Sequence, residues 1–287
     1  QRYVLRSVSR ARLQEKARVD CPKSQLLAAC LTSGFVLAQF GPASAQSMFN
    51  YWARCENPRL EPARRIEYCE RLLNTGGGPN SEVAILTIMG GLYRDMHQYS
   101  TAIDTYSRAL GYEELGVSDL HASVDSPGST ISIPTVTALV GALEGRAEVY
   151  ALTGQGELAL ADAAHVFRLA PDLATSYAIR CRTRAILKTD LDKALADCNQ
   201  AEKLAPKDTQ VLGAAGFLQY RMDHPKDAAV DFDQALSVSP KLAGALYMRG
   251  IIELHSGNSA GGNADIAAAK EEDPAIADSF VDLGVTP

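Results

Sequence analysis

Four stretches decide the fold: Val166-Phe-Arg-Leu-Ala-Pro171, Ala201-Glu-Lys-Leu-Ala-Pro206, Ala235-Leu-Ser-Val-Ser-Pro240 and Ala269-Lys-Glu-Glu-Asp-Pro274. Each ends a helical pattern on a proline, which cannot continue a helix, and the prolines lie 35, 34 and 34 residues apart. Counting back from each proline, small residues recur where two antiparallel helices have to approach closely. They are Ala147, Gly216 and Gly250 on the first helix of a pair and Ala159, Ala194, Ala228 and Gly262 on the second. Larger residues fill the seam between them: Leu143 and Tyr150, Leu212 and Phe232, Leu246 and Ile266. An upstream copy lacks the proline but keeps the order of residue types: Leu86, Met89, Gly90, Tyr93, Tyr99, Ala102, Tyr106, Ala109. A degenerate unit precedes it, with Phe49–Cys55 as one helix and Pro62–Leu73 as the other, closed by Thr75-Gly-Gly-Gly-Pro-Asn80.

Over roughly 83–276 this pattern resembles the tetratricopeptide repeat (TPR), whose period is about 34 residues. The resemblance implies an all-α fold, a right-handed superhelical solenoid of antiparallel helix pairs with about five to six repeats and a C-terminal capping helix over Ala275–Leu283. The expected units are a degenerate hairpin at 46–80 and repeats at 81–116, 137–173, 174–208, 209–242 and 243–287, the last including the cap. Between them, 117–136 breaks the period with Gly, Asp, Ser and Pro and no helical stripe; a loop that long is either functional or disordered. Arg182–Cys198 and Ala260–Lys270 are similar to a group of exported Gram-negative TPR proteins, a likeness that supports a periplasmic location more than any activity.

Charge separates the N-terminal segment from the rest. The net charge is −6, but residues 1–45 carry seven Lys/Arg against two acids, which leaves 21 basic and 32 acidic residues in 46–287. A basic nucleic-acid surface is not the default for such a chain. After Lys23 comes an apolar run, Leu26–Phe40, then Gly41-Pro42 and Ala43-Ser44-Ala45 before Gln46. A positive flank, a short apolar core and small residues two apart make a secretory signal peptide over 23–45, cleaved between Ala45 and Gln46. The run is short of the roughly 20 residues that span a membrane. A lipoprotein reading at Cys30 has only Leu26 and Leu27 as apolar core before it, and a transit-peptide reading of 1–22 meets Glu15 and Asp20. Residues 1–22 are read as an N-terminal extension outside the mature protein. The location expected is periplasmic or secreted.

Four cysteines lie beyond the leader, and each pair straddles one helix–turn–helix: Cys55 with Cys69, Cys181 with Cys198. In an exported chain they read as two hairpin staples out of three possible connectivities; the alternative is four buried thiols serving as small core residues. No C-x-x-C occurs, the five histidines are scattered with no two at helical metal spacing, and there is no G-x-S-x-G elbow or phosphate-binding loop. No catalytic residue, metal or cofactor is therefore expected, and the chain is not expected to be an enzyme.

An array of helix pairs binds through the inner face lined by its first helices. Alignment with the family puts Thr87, Gly91 and Arg94, Glu144 and Glu148, Ile179, Thr183 and Ile186, Gly213, Phe217 and Tyr220, and Tyr247, Ile251 and Leu254 on that face. The early part is polar and partly acidic, the later part apolar and aromatic, which suits an amphipathic helix or an extended peptide. Phe217, Tyr220, Tyr247 and Leu254 are equally suited to packing between neighbouring helices. The clamp that some TPR co-chaperones close on a peptide carboxylate uses Lys and Asn, where Thr87, Gly91, Glu144 and Glu148 stand here. The functional expectation is a scaffold for a protein or peptide partner in the cell envelope, with no nucleic acid and no small-molecule substrate. The alternative is an envelope assembly or quality-control accessory that holds client proteins.

Overall fold

The structure, a computed structural model, describes residues 42–75, 79–114 and 133–287. The expected leader up to residue 41, with Cys30, and most of the expected loop lie outside the described residues. The chain divides into two compact units, Gln1–Asn50 and Tyr51–Pro287. Of the first, the described residues form the start of helix α1 (Pro42–Cys55), which runs unbroken through Ala45–Gln46. The second holds everything that follows.

Every described element is a helix. After α1 come α2 (Pro62–Asn74), α3 (Pro79–Asp95), α4 (Tyr99–Glu114), α5 (Ile133–Leu152), α6 (Gly156–Leu169), α7 (Ala174–Leu187), α8 (Leu191–Leu204), α9 (Thr209–Arg221), α10 (Pro225–Val238), α11 (Ala243–His255), α12 (Ser259–Glu272) and α13 (Ile276–Asp282). They form an all-α helical-repeat solenoid in which α3·α4, α5·α6, α7·α8, α9·α10 and α11·α12 pack as pairs, and from α3 onward each odd-numbered helix also meets the next odd-numbered one. Residues 133–136, expected as loop, are the first turn of α5. Proline in a first helical turn gives up no intrahelical hydrogen bond, so Pro134 starts this helix as Pro62 starts α2. None of the described helices is long and apolar enough to cross a membrane.

Two kinds of punctuation set the period. Between pairs, Ala170, Ala205, Ser239 and Asp273 precede the four prolines and have φ of −144°, −144°, −132° and −141°. The ring of a following proline excludes the helical region at these positions. Within pairs, each turn has a residue in the left-handed conformation, His97, Gly154, Lys188, Asp223 and Gly257, and the turn after Lys188 has a second in Asp190. The next amide then bonds back five residues, as Gln155 N does to Tyr150 O at 2.7 Å and Asn258 N to Glu253 O at 2.9 Å. This motif satisfies the free carbonyls of the helix that is ending. Glycine adopts that conformation at little cost, and the others pay about 1 kcal/mol each.

The small residues stand where the paired helices cross. A Cβ on Gly250 would lie 2.9 Å from Gly262 O, and one on Gly262 2.7 Å from Gly250 O, so backbone meets backbone. At Gly90 and Gly216 the space is taken by the rings of Tyr106 and Phe232. In the remaining pairs Ala147, Ala159, Ala194 and Cys181 are buried at the same crossing. Cys55 faces Cys69 with Cα atoms 5.1 Å apart, and Cys181 faces Cys198 at 5.5 Å, each pair with its sulfurs at bonding distance.

In three of the pairs a cation directly precedes the small residue of the first helix. Arg146 donates from Nε and Nη2 to Asp162 at 2.8 Å each. Arg180 does the same to Asp197 at 2.8 and 2.5 Å, and Arg249 to Asp265 at 2.6 and 2.9 Å. Two-pronged pairs of this kind fix orientation as well as charge. The same place in the fourth pair holds Ala215 opposite Asp231. Burial, with Glu202 and Asp227 nearby, pushes the Asp231 carboxyl up to about 7.

Two expected outcomes follow from this packing. Gly250→Ala should destabilise the chain by about 1–3 kcal/mol, because the new methyl meets the Gly262 carbonyl. Gly213→Ala, at a helical glycine with nothing within 4 Å of a new Cβ, should stabilise it by about 0.5–1 kcal/mol; chemical denaturation of the two variants separates them. For Asp231 the folded chain favours the neutral acid, so its cost is absent where both states are protonated and grows as pH rises from about 4 to 7. Asp231→Asn and Ala215→Arg should therefore gain stability over the parent progressively between pH 4 and 8, by about 1 kcal/mol after solvent screening. A pH-independent difference would contradict the assignment.

Candidate functional site

The inner face is built by α3, α5, α7, α9 and α11 lying side by side. Its early half is polar and is tied together by one carboxylate. Glu148 on α5 accepts from Arg94 Nη1 of α3 at 2.9 Å and from Arg182 Nη2 of α7 at 2.8 Å. Arg94 also donates from Nε and Nη2 to Asp95 Oδ1 at 3.1 and 2.8 Å. Burial works against the charge on Glu148, but Arg182 and then Arg94 outweigh it and hold the carboxyl below its usual range. One turn earlier on α5, Glu144 accepts from Gln210 Nε2 of α9 at 3.1 and 3.0 Å. Burial pushes this second carboxyl up, and Glu148 adds to the effect.

A cavity of about 320 Å³ opens on this polar wall. Arg94, Glu144, Glu148 and Arg182 line one side, and Ile179, Phe217 and Met248 carry it into the apolar half. Of the residues expected on the face, Arg94, Glu144, Glu148, Ile179, Gly213 and Phe217 border this space together. Others are engaged elsewhere. The Thr87 hydroxyl donates to Val83 O at 2.8 Å and Ala138 O at 3.2 Å, and the Thr183 hydroxyl, itself buried, donates to Ile179 O at 2.8 Å. Ile251 is fully buried, and Tyr220 packs half-buried against the core.

In the apolar half, Tyr247 follows the packing alternative of the two that the sequence left open. Tyr247 is 1% exposed, and its ring stacks on Phe280 of α13 with centroids 5.0 Å apart and planes at 21°. The cap helix lies along the groove as well as against α11 and α12. Beyond Phe280, Asp282 Oδ2 accepts from Tyr99 Oη at 2.6 Å and stands 2.9 Å from His97 Nδ1, in the turn between α3 and α4. Arg182, Gln210, His97, Tyr99, Phe280 and Asp282 were not expected at the site. Arg182 had a signal, since it falls 34 residues after Glu148 and so occupies the same face of the next first helix. Among the described residues no cluster of three or more His, Cys, Asp or Glu is arranged to hold a metal ion.

Glu148→Gln should cost about 2 kcal/mol, because it takes the shared carboxylate from two partly buried guanidinium groups. The folded carboxyl ionises more readily than in the unfolded chain, so its contribution is complete above the ordinary carboxylate range, near pH 4.5, and is lost as pH falls below it. The parent should therefore lose more stability than the variant on acidification, as urea titrations at several pH values would show; parallel losses would contradict the bridge.

The sequence matches no protein-family model and no curated protein. Solved structures do resemble it. A thermophilic TPR protein from Thermus thermophilus superimposes with a TM-score of 0.50 at 17% identity, covering 69% of this chain and 95% of that one. A TPR protein from Parabacteroides merdae gives a TM-score of 0.45 at 18% identity, covering 85% of each chain. YrrB, described as a TPR protein with an unusual peptide-binding site, gives 0.36 at 15% identity, covering 76% of this chain and 97% of that one. The 34-residue spacing, the small residues at the helix crossings and the first of these likenesses agree: the chain has the fold of tetratricopeptide-repeat proteins.

Proposed function

We propose that the chain is an exported, non-catalytic scaffold that binds a protein or peptide partner in the cell envelope through its inner groove. The observation that carries this reading is the groove itself: a cavity of about 320 Å³, charged at one side and apolar at the other, continuous across several first helices. Binding surfaces that fix a segment of chain combine apolar pockets with a few placed polar groups. Here Glu144, with one amide partner and a carboxyl pushed up by burial, faces that space among Arg94, Arg182 and Gln210. The polar groups of the early half pair with one another across neighbouring first helices, as groups that position a bound segment do, which favours binding over turnover.

Export is supported by the leader pattern of 23–45 and by the two facing cysteine pairs. Closing each hairpin covalently contributes about 3 kcal/mol in the chain-entropy model, and such bonds persist in oxidising compartments.

Affinity capture from envelope extract, with a bait beginning at Gln46, tests the reading. A stoichiometric partner should be recovered, and a bait with Glu144→Lys and Phe217→Ala should recover it at least tenfold less while keeping its helicity. Undiminished recovery would remove the groove as the site. A broad set of partly folded envelope proteins would replace the scaffold with a holder of clients.

A further inference from the structure

The C-terminal segment tells what kind of partner the groove takes. Helix α13 has only seven residues, too few to be helical by itself in water, so the groove shapes it. Its end is a complete Schellman motif: Gly284, at φ +71°, donates to Val281 O at 2.8 Å, and Val285 N donates to Phe280 O at 2.9 Å. That turn sends Leu283 and Val285 into the core, where both are buried.

Three groups of the inner face hold the segment, each reading a different chemical feature. Tyr247 takes the Phe280 ring, beside Gly244, where an added Cβ would stand 3.9 Å from that ring. Tyr99 and His97 take the Asp282 carboxylate, at 2.6 and 2.9 Å, from a turn that lies 183 residues away along the chain. Arg221 donates from Nη2 to the Leu283 carbonyl while lying 4.8 Å above the Phe217 ring, and its buried Nε has no partner. A main-chain carbonyl carries no sequence information, so Arg221 reads the presence of a peptide, whereas Tyr247 and the His97–Tyr99 turn read its side chains. The seat is not filled by α13, because the cavity that opens on Glu144, Glu148 and Arg182 extends beside Phe280 and Asp282.

We propose that the groove is a receptor for a partner segment that presents an aromatic residue and, two positions later, a carboxylate on a short helical turn. Residues 276–285 are the intramolecular stand-in for that segment, and the partner displaces them. This rests on the groove being a binding surface. It adds the recognition chemistry and a threshold: a tethered occupant competes at an effective concentration of order millimolar, so only a segment that also uses the open cavity wins.

The test uses the full chain and a fluorescein-labelled synthetic peptide, Pro-Ala-Ile-Ala-Asp-Ser-Phe-Val-Asp-Leu-Gly-Val-Thr-Pro, which copies residues 274–287. A chain carrying Phe280→Ala and Asp282→Asn should bind this peptide at least tenfold more tightly than the parent, by fluorescence anisotropy. A peptide with the same two changes should bind neither chain. Should the double variant lose helicity, Asp282→Asn alone reads the same competition: it loosens the native tail while leaving the seat intact, and should bind the unaltered peptide more tightly than the parent does. Equal affinity of parent and variants, or equal binding of the altered peptide, would overturn the proposal. So would a parent dimer, by sedimentation, that the double variant abolishes, because the tail would then belong to a second copy. Failure of the envelope capture leaves this competition measurable, and failure of the competition leaves the capture intact, so the two readings fall separately.

Discussion

Gly250 and Gly262 lie so close that a single methyl on either would run into the other's carbonyl. That approach distance is the constraint from which the rest of the architecture follows. Two helices that pack with a small residue at their crossing bury a narrow seam, and a narrow seam cannot close a core by itself. Each pair therefore has to stack on its neighbours, and the buried residues form two clusters, one from Val83 to Ile179 and one from Ala178 to Val285, that both draw on α7. The crossing also explains the low aromatic content of 7%, since most inner positions have no room for a ring. Where rings do enter, as Tyr106 and Phe232 do, the glycine opposite makes the space.

Fixing the pairs fixes the inner face, and the charges there follow the same register. Arg146, Arg180 and Arg249 each precede the small residue of their helix and clamp an aspartate on the paired helix. One period separates Glu148 from Arg182, which places them on adjacent helices within hydrogen-bond reach. The side chains left over, Glu144 and the apolar Ile179, Phe217 and Met248, border the cavity. The groove is thus what remains of the first-helix faces after packing and pairing have used their share.

How far the sequence exposed this depends on the separation of the interacting residues. The prolines, the small residues and the cysteine spacings are local or one period apart, so helix pairs, crossings and facing cysteines could be located from residue order. The Arg–Asp column was equally periodic, and only its gap at Ala215 makes Asp231 conspicuous. Tyr99 and Asp282 are different. They meet across 183 residues because the curvature of successive pairs brings the end of the array to its beginning, and no pattern within one repeat encodes that curvature. For that reason Ala275–Leu283 was legible as a helix that covers the last repeat but not as an occupant of the groove, and the sequence did not choose between an open Tyr247 and one stacked under Phe280.

Whether the tail occupies the groove in solution is most directly measured by amide hydrogen exchange across residues 276–285. The account predicts that the Gly284 and Val285 amides, bonded to Val281 O and Phe280 O, are protected well above the rates of an unstructured peptide and lose that protection together in Tyr99→Phe, with α11 unchanged. Exchange of 276–285 at unstructured-peptide rates in the parent chain, while α11 remains protected, would contradict it.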